Sequence, residues 1–232
     1  MALMGKAAVA MWWNMAPAQR SEFEDWHSHE HFPERMGIPG FLRGSRWSDA
    51  NGGEGFFVIY ELDEYRTLTS DGYRAKLNNP TPWSTKMMPH HRDMVRSQCH
   101  VIESMGGGIA RYALTLRLSP SDGAEESLRS YLTHVGSSFV TRPGGVACHL
   151  LRTETPQIAD TREQKIRGGD AAADWILVAL GYDQGALEAL WTDQFQASQI
   201  ESRGAQTGAI AGLYELAHAA SSSDLHTQTK RS

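Results

Sequence analysis

The chain has 232 residues, of which 41% are hydrophobic and 21% charged, and its 22 basic and 27 acidic side chains give a formal net charge of -5. This composition predicts a globular protein with a packed core and excludes a wholly disordered chain. The basic residues are scattered, so we expect no nucleic-acid partner. No apolar run approaches the roughly 18 residues of a membrane span, so no membrane partner is expected either. With only two cysteines, Cys99 and Cys148, the chain lacks a disulfide framework, which favours a soluble protein of the reducing cytoplasm.

The first half of the chain predicts the order strand, helix, strand, strand, helix, strand. Alternating and helical hydrophobic patterns follow one another between turns rich in glycine and proline. The predicted strands cover residues 7–13, 41–47, 55–61 and 95–104, and the predicted helices cover 17–36 and 62–77. This order is the split βαββαβ motif of ferredoxin-like folds.

The same order returns in the second half, after three glycines at 106–108. Here the predicted strands cover 112–118, 146–152, 175–181 and 209–217, and the predicted helices cover 124–139 and 184–196. The dipeptide Pro39-Gly40, which follows the first helix, recurs as Pro143-Gly144. An ordered recurrence of this kind indicates an internal duplication.

We therefore predict an α+β protein built from two tandem ferredoxin-like βαββαβ units that form a pseudo-dimeric α+β barrel. The first unit covers residues 1–106 and carries the site, the diverged second unit covers 107–220, and a disordered tail covers 221–232. One unit alone leaves a sheet face uncovered. Packing two sheets face to face covers both and leaves a pocket between sheet and helices.

The segment WHSHEHFPER (residues 26–35), followed by IPGF (38–41), resembles the first helix and turn of the dimeric α+β-barrel superfamily, and most closely its EthD-type branch. The resemblance implies the barrel fold and, together with exposed sheet edges, a homodimer. Relatives include muconolactone isomerases, polyketide cyclases, cofactor-free monooxygenases, aldoxime dehydratases and chlorite dismutases. The resemblance therefore implies no single reaction.

Histidines are concentrated on this first helix. His27 and His31 are one turn apart and share a face, with Glu30 and Glu34 in an adjacent stripe. Imidazole suits proton transfer near neutral pH, and a neighbouring carboxylate can orient it. We predict that His27, His31 and Glu30 are catalytic, with one histidine as general base. The alternative is a solvated helix face with ordinary surface histidines.

A metal site is a more specific alternative for the same histidines. Two histidines at this spacing with a carboxylate can hold zinc, iron or manganese, and His90 or His91 would complete the site. The HExxH order of zincins is missing, so we predict neither a metal nor another cofactor. Haem, which some relatives bind through the second unit, would by position involve His134 or His149.

Residues 77–84 contain two asparagines and two prolines and predict an ordered loop at the pocket rim. In this loop Trp83 would stack on a flat substrate, and Asn78 or Asn79 would stabilise a carbonyl or oxyanion. The alternative is an Asx turn with Trp83 in the core. The predicted substrate-binding residues are Trp26, Tyr60, Asn78, Asn79, Trp83 and Arg92. For Arg92 a surface ion pair is the competing prediction.

The second unit has lost the polar cluster, since Tyr131 and Val135 stand where His27 and His31 stand in the first. We expect it to be structural. A charged insertion over 154–170 is either a lid over a neighbouring site or a solvated loop. Alternation places Trp12 and Trp13 on opposite sheet faces, with one of them towards the pocket.

The sequence contains no nucleotide fingerprint, P-loop, nucleophile elbow or CxxC pair. We predict a cofactor-independent lyase or isomerase that acts by histidine-mediated proton transfer on a small aromatic or lactone-like catabolic intermediate. Two alternatives stay open. One is a cofactor-free or metal-dependent monooxygenase, and the other is a non-catalytic small-molecule-binding stress-response protein.

Overall fold

The computed structural model describes residues 3–156 and 161–228. Eight antiparallel strands close into a barrel in the order β1-β3-β2-β8-β5-β7-β6-β4. The strands are β1 Ala7–Asn14, β2 Phe41–Asp49, β3 Gly55–Leu62, β4 Arg92–Gly106, β5 Tyr112–Leu118, β6 Gly145–Thr153, β7 Trp175–Gly181 and β8 Ile210–Ser221. The predicted bounds of β5 and β7 are confirmed, and the other six strands extend one to four residues beyond their predicted ends.

The barrel consists of two four-stranded sheets with the same internal order. The first unit contributes β4-β1-β3-β2 and the second β8-β5-β7-β6, and the sheets join through the pairs β2–β8 and β4–β6. The repeated glycines are equivalent, because Gly40 and Gly144 have φ angles of 92° and 91°. A Cβ at Gly144 would lie 2.4 Å from the Cβ of Ala186, so this turn requires glycine. The predicted tandem α+β barrel is confirmed.

Helices cover the outside of each sheet. They are α1 Pro17–Trp26, α2 Phe32–Met36, α3 Asp71–Asn78, α4 Pro82–Met87, α5 Glu125–Phe139, α6 Arg162–Arg167, α7 Gln184–Gln194, α8 Ala197–Glu201 and α9 Ser222–Gln228. A π-helical turn over His27–His31 joins α1 to α2, so the predicted helix over 17–36 is continuous. No helix in the described ranges is long and apolar enough to cross a membrane.

Three hydrophobic cores hold the molecule together. One fills the barrel, where the ring of Phe57 stacks between those of Trp12 and Trp47 at 5.1 and 5.3 Å. The other two lie outside the barrel, between each sheet and its helices. Trp13 points to the outer core of the first unit and Trp12 to the barrel interior, as alternation predicts. Both cysteines are buried and free.

Several local predictions are wrong. The helix predicted over 62–77 is divided, since Leu62 ends β3, a 3₁₀ turn covers Tyr65–Thr69, and α3 begins at Asp71. The loop predicted over 77–84 contains helix α4, which Pro82 begins and the Thr81 side chain caps. The tail predicted to be disordered over 221–232 contains α9, in whose first turn the N–H of Ser221 donates to Asp224. Residues 229–232 of this tail lie outside the described ranges.

Two further expectations concern the surface. Because the eight described strands form a closed barrel, the argument for a homodimer from exposed sheet edges does not apply, and the homodimer stays a prediction by analogy. The charged insertion is more ordered than a solvated loop, since it contains α6, which packs against α3 and the residues before β4. The predicted insertion includes residues 157–160, which lie outside the described ranges.

Candidate active site

The π-helical turn is the local feature that shapes the candidate site. Pro33 has no N–H and its ring opposes a regular helix, so the preceding turn widens. The N–H of Phe32 accordingly donates to the carbonyl of His27, five residues back. This turn brings both His27 and His31 to the buried side of the helix, while His29 stays exposed.

The π turn also adds one residue relative to helix α5 of the second unit. After the turn, His31 corresponds to Val135, as predicted from the aligned Pro-Gly dipeptides. Before it, the buried residue His27 corresponds to Leu132 and not to Tyr131, whose hydroxyl instead donates to the carbonyl of Gln194. Both counterparts lie in an apolar core, so the polar cluster is confined to the first unit.

A cavity of about 40 Å³ lies between the first sheet and its helices, where the duplication predicts a pocket. A space of this volume holds a few water molecules but no aromatic ring. Its polar and aromatic lining consists of Trp13, Trp26, His27, His31, Arg35, Tyr60, Tyr73, His91, Arg96, Glu163 and Arg167. A substrate therefore enters only if part of this wall moves.

His27 and His31 are the central pair of the cavity. Their rings are 5.3 Å apart, and the ring of His31 lies 4.6 Å from that of Trp26. The Nδ1 atoms of both are buried and have no hydrogen-bond partner among the described residues. Burial lowers the pKa of each well below its ordinary value, with Arg46 and Arg35 nearby adding to the effect. Both imidazoles are thus neutral at neutral pH, and burial makes each a weaker base than a free imidazole.

His91 is the third imidazole of the cavity. Its Nδ1 lies 3.1 Å from the carbonyl oxygen of Met88, which fixes the proton on that nitrogen. Its ring lies 4.9 Å from that of Trp13. Burial lowers the pKa of His91 to about 3, so this imidazole is neutral as well.

Charged side chains form the other side of the cavity. Arg35 Nη2 donates to Glu163 Oε1 at 2.5 Å, and both side chains are almost fully buried. Burial disfavours the charged form of Arg35, but the Glu163 carboxylate outweighs this and raises the pKa of the guanidinium. Arg96 Nη2 donates to the Tyr73 hydroxyl at 2.7 Å. Two units meet here, because α6 of the second unit carries Glu163 and Arg167 into the first-unit site.

Two more donors face this space without a partner in the described chain. The hydroxyl of Tyr60 and Nε1 of Trp13 are both buried, and burial raises the pKa of Tyr60. Tyr60 therefore stays protonated and can donate to a substrate oxygen. Its predicted position at the pocket, and that of Trp26, agree with the structure.

The predicted role of Glu30 as a partner of the histidines is wrong. Its Oε1 accepts hydrogen bonds from Trp26 Nε1 at 3.0 Å and from the Thr81 hydroxyl at 2.5 Å, and it bonds neither His27 nor His31. The physical reason is the π turn, which rotates the histidines inwards and leaves Glu30 facing α4. Through these hydrogen bonds Glu30 connects α1 to α4.

Four predicted substrate-binding residues lie away from the cavity. Asn78 bonds the backbone of Arg74 and Arg162, and Asn79 bonds that of Ala75, so both secure helix ends. The indole of Trp83 donates to Glu22. Arg92 forms the competing surface ion pair, with Glu54. None of the four lines the cavity. The formation of α4 in place of a loop explains the position of Trp83.

Sequence reasoning missed Arg35, Arg96, Glu163 and Arg167 as site residues. Two signals were present. Arg35 ends the quoted motif, and Arg96 shares a face of β4 with the buried Met94, where a charged side chain is unusual. No signal in the sequence places the insertion carrying Glu163 and Arg167 over the first unit.

The described ranges contain no group of three or more His, Cys, Asp or Glu side chains arranged to hold a metal ion. His91 reaches the cavity, but His90 is not among its lining residues. His134 is exposed on α5, and His149 lies inside the barrel with Nδ1 near the Ser104 hydroxyl. The two haem candidates are therefore remote from the cavity and from each other.

Acid should destabilise this protein through its buried neutral imidazoles. In the unfolded chain each histidine takes up a proton near pH 6.5, while His27, His31 and His91 in the folded chain do not. The unfolded state then binds more protons, so the free energy of unfolding falls as the pH drops from 6.5 towards 3. Each contributes about 1.4 kcal/mol per pH unit.

Urea unfolding at several pH values between 4 and 6, below the pKa of a histidine in the unfolded chain, measures this slope. His91→Gln should reduce it by about 1.4 kcal/mol per pH unit. His134→Gln removes an exposed imidazole outside the cavity and serves as the control. An identical slope in the wild type and His91→Gln would contradict the neutral buried state of His91.

The closed eight-stranded barrel made of two ferredoxin-like units defines the fold as that of the dimeric α+β-barrel proteins, fused into one chain. No protein-family model matches the sequence, and a search of curated proteins finds no match. Solved structures do match it. An anthrone oxidase-like protein is 12% identical, with a TM-score of 0.64 over 94% of this chain and 93% of its own.

Two further structures show the same fold. One, described as a candidate monooxygenase from Fusobacterium nucleatum, is 7% identical with a TM-score of 0.60, over 94% of this chain and 96% of its own. The other, also described as a candidate monooxygenase, is from Lactobacillus acidophilus. It is 10% identical with a TM-score of 0.56, over 94% of this chain and 97% of its own. Similarity at this level of sequence identity shows a shared fold alone. Membership of the EthD-type branch stays a prediction.

Proposed function

We propose that this protein is an enzyme that removes a proton from a small aromatic or lactone-like substrate and holds the resulting enolate. The observation that carries the proposal is the buried pair His27 and His31, neutral and unpartnered at Nδ1, beside the guanidinium of Arg35. A neutral imidazole can act as a general base, and Nη1 of Arg35, one turn away and without a hydrogen-bond partner among the described residues, can donate to negative charge that develops on the substrate.

His31 is the better candidate for the base. It is 8% exposed against 2% for His27, and it lies next to Arg35 on the charged side of the cavity. His27 is enclosed by the rings of Phe23, Phe32 and His31 and positions its neighbour. Tyr60 can donate a hydrogen bond to the enolate oxygen. Return of the proton at another carbon gives an isomerase, and loss of a leaving group gives a lyase.

A monooxygenase is the second candidate. It uses the same first step, after which the carbanion reacts with dioxygen. The observation that favours it is the fold similarity to an anthrone oxidase-like protein and to two candidate monooxygenases. The aromatic walls of the cavity suit a flat substrate in either reaction.

Deuterium exchange tests the shared first step. A panel of phenols, hydroxylated polycyclic ketones and unsaturated lactones is incubated with the protein in D2O under argon, and incorporation at the acidic carbon is followed by NMR. We expect catalysed exchange for at least one class. The same substrate is then incubated in air in an oxygen electrode. Oxygen consumption would select the monooxygenase, and a product formed under argon would select the isomerase or lyase.

The third prediction from the sequence, a non-catalytic binder, is the outcome that contradicts the proposal. It would show as saturable binding of a panel compound without exchange, product or oxygen uptake. His134→Gln is the matched control for histidine variants in this assay, because its side chain is exposed on the second unit.

A further inference from the structure

The charged groups of the cavity do not balance. Arg35 is paired with Glu163, and Arg167 is paired with Asp170 through two hydrogen bonds of 2.9 and 2.7 Å. Arg96 has no carboxylate within 4.0 Å in the described ranges. Among the described residues, three guanidinium groups thus face two carboxylates, Glu163 and Asp170, which leaves one positive charge in excess. Such a charge attracts an anion.

The surrounding acidic residues do not remove this excess. Glu34 lies 3.8 Å from Arg35, but its other oxygen lies 3.3 Å from the ammonium group of Lys76. That pair is neutral as a whole. Glu163 and Asp170 act on Arg96 only at longer range, and the direct partner of Arg96 is the neutral hydroxyl of Tyr73.

Hydrogen-bond donors are also in excess. Nε1 of Trp13, Nη1 of Arg35 and the hydroxyl of Tyr60 are buried without a hydrogen-bond partner among the described residues. A ligand that satisfies them must supply acceptors, which a carboxylate or phenolate oxygen does. The rings of Trp13 and Trp26 form walls against which a planar group can pack.

The cavity as it stands is too small for such a ligand. Its wall includes α6, a six-residue helix followed by Gly168 and Gly169, both at positive φ. Glu163 on this helix pairs with Arg35 and lines the same cavity as Arg96. Outward movement of the helix would enlarge the cavity. A ligand carboxylate that pairs with Arg96, with Glu163 still at Arg35, would balance the charges of the cavity.

We propose that the cavity binds a planar organic anion, an aromatic carboxylate or phenolate, whose acidic group pairs with Arg96 beside the Arg35–Glu163 pair. This inference deepens the proposed function and rests on it for the location of the site. It adds the charge of the substrate and the residues that select it.

Isothermal titration of the full chain with benzoate and with benzamide tests the charge preference, because the two probes share a shape and differ in charge. We expect benzoate to bind at least ten times more tightly. Arg96→Gln should abolish this preference, and Arg96→Lys should retain part of it. Arg117→Gln is the control, since Arg117 is also partly buried but lies outside the cavity. Glu163→Gln should tighten benzoate binding at least fivefold, because it removes a negative charge from the same cavity.

Equal affinities for the two probes, or binding of neither, would overturn the inference. A preference for benzoate over benzamide that persists in Arg96→Gln, or that is lost in Arg117→Gln, would also overturn it. Melting curves show whether each variant is folded. If Arg96→Gln does not fold, the affinities of Arg96→Lys for the two probes decide whether Arg96 selects the charged one. Titration measures binding without turnover, so a protein that prefers benzoate but catalyses no exchange would refute the proposed function and leave this inference standing.

Discussion

Glutamine at position 31 is expected to slow deuterium exchange by about 10²- to 10⁴-fold, the usual contribution of a general base. Glutamine fills similar space and can still form hydrogen bonds, but it cannot accept the proton. The rate of exchange is measured with the substrate that the exchange screen identifies. His27→Gln should cost less, about tenfold, if His27 acts only by packing against the His31 ring at 5.3 Å.

The pH profile separates a base from a structural residue. Burial holds the pKa of His31 well below its ordinary value, so the base is already unprotonated at pH 6. We expect kcat/KM to be flat between pH 6 and 8 and to fall only in acid. His29→Gln, on the exposed face of the same helix, should leave the rate unchanged. Exchange in His31→Gln within threefold of the wild type would refute the assignment of His31.

Methionine at position 35 is expected to reduce the free energy of unfolding by about 3–5 kcal/mol. The guanidinium of Arg35 and the carboxylate of Glu163 are both almost fully buried and lie 2.5 Å apart. Loss of Arg35 leaves the Glu163 carboxylate buried without a partner. The free-energy cost of that unpaired charge exceeds the net stabilisation that the ion pair provides. Urea unfolding at pH 7 measures the change.

The double variant Arg35→Met with Glu163→Met completes the test. Removing both charges should recover most of the lost stability, because no buried charge is left unpaired. The exposed pair Arg92–Glu54 is the control, and Arg92→Met should cost no more than about 1 kcal/mol. A loss below 1 kcal/mol in Arg35→Met would show that α6 moves away at little cost and exposes Glu163 to water. The open form would then be readily accessible.

Much of the architecture was predictable because its signals are local. The hydrophobic pattern predicted both ends of β5 and β7 correctly. The recurring Pro-Gly dipeptides marked equivalent turns, in which Gly40 and Gly144 have nearly identical φ angles. The pairing of histidines on one helix face was also predictable from their spacing. The error at Glu30 arose because a regular α-helix was assumed, whereas Pro33 forces a π turn that changes which side chains share a face.

The sequence by itself determined the repeat, the order of strands and helices, and the helix that carries His27 and His31. These properties depend on residues close together in the chain. Only the tertiary structure decided which side chains surround the histidines. Arg35 meets Glu163, and Arg96 meets Tyr73, because the barrel closes and the insertion of the second unit packs on the first. Partners separated by up to 128 positions leave no local pattern, since their meeting depends on packing in three dimensions.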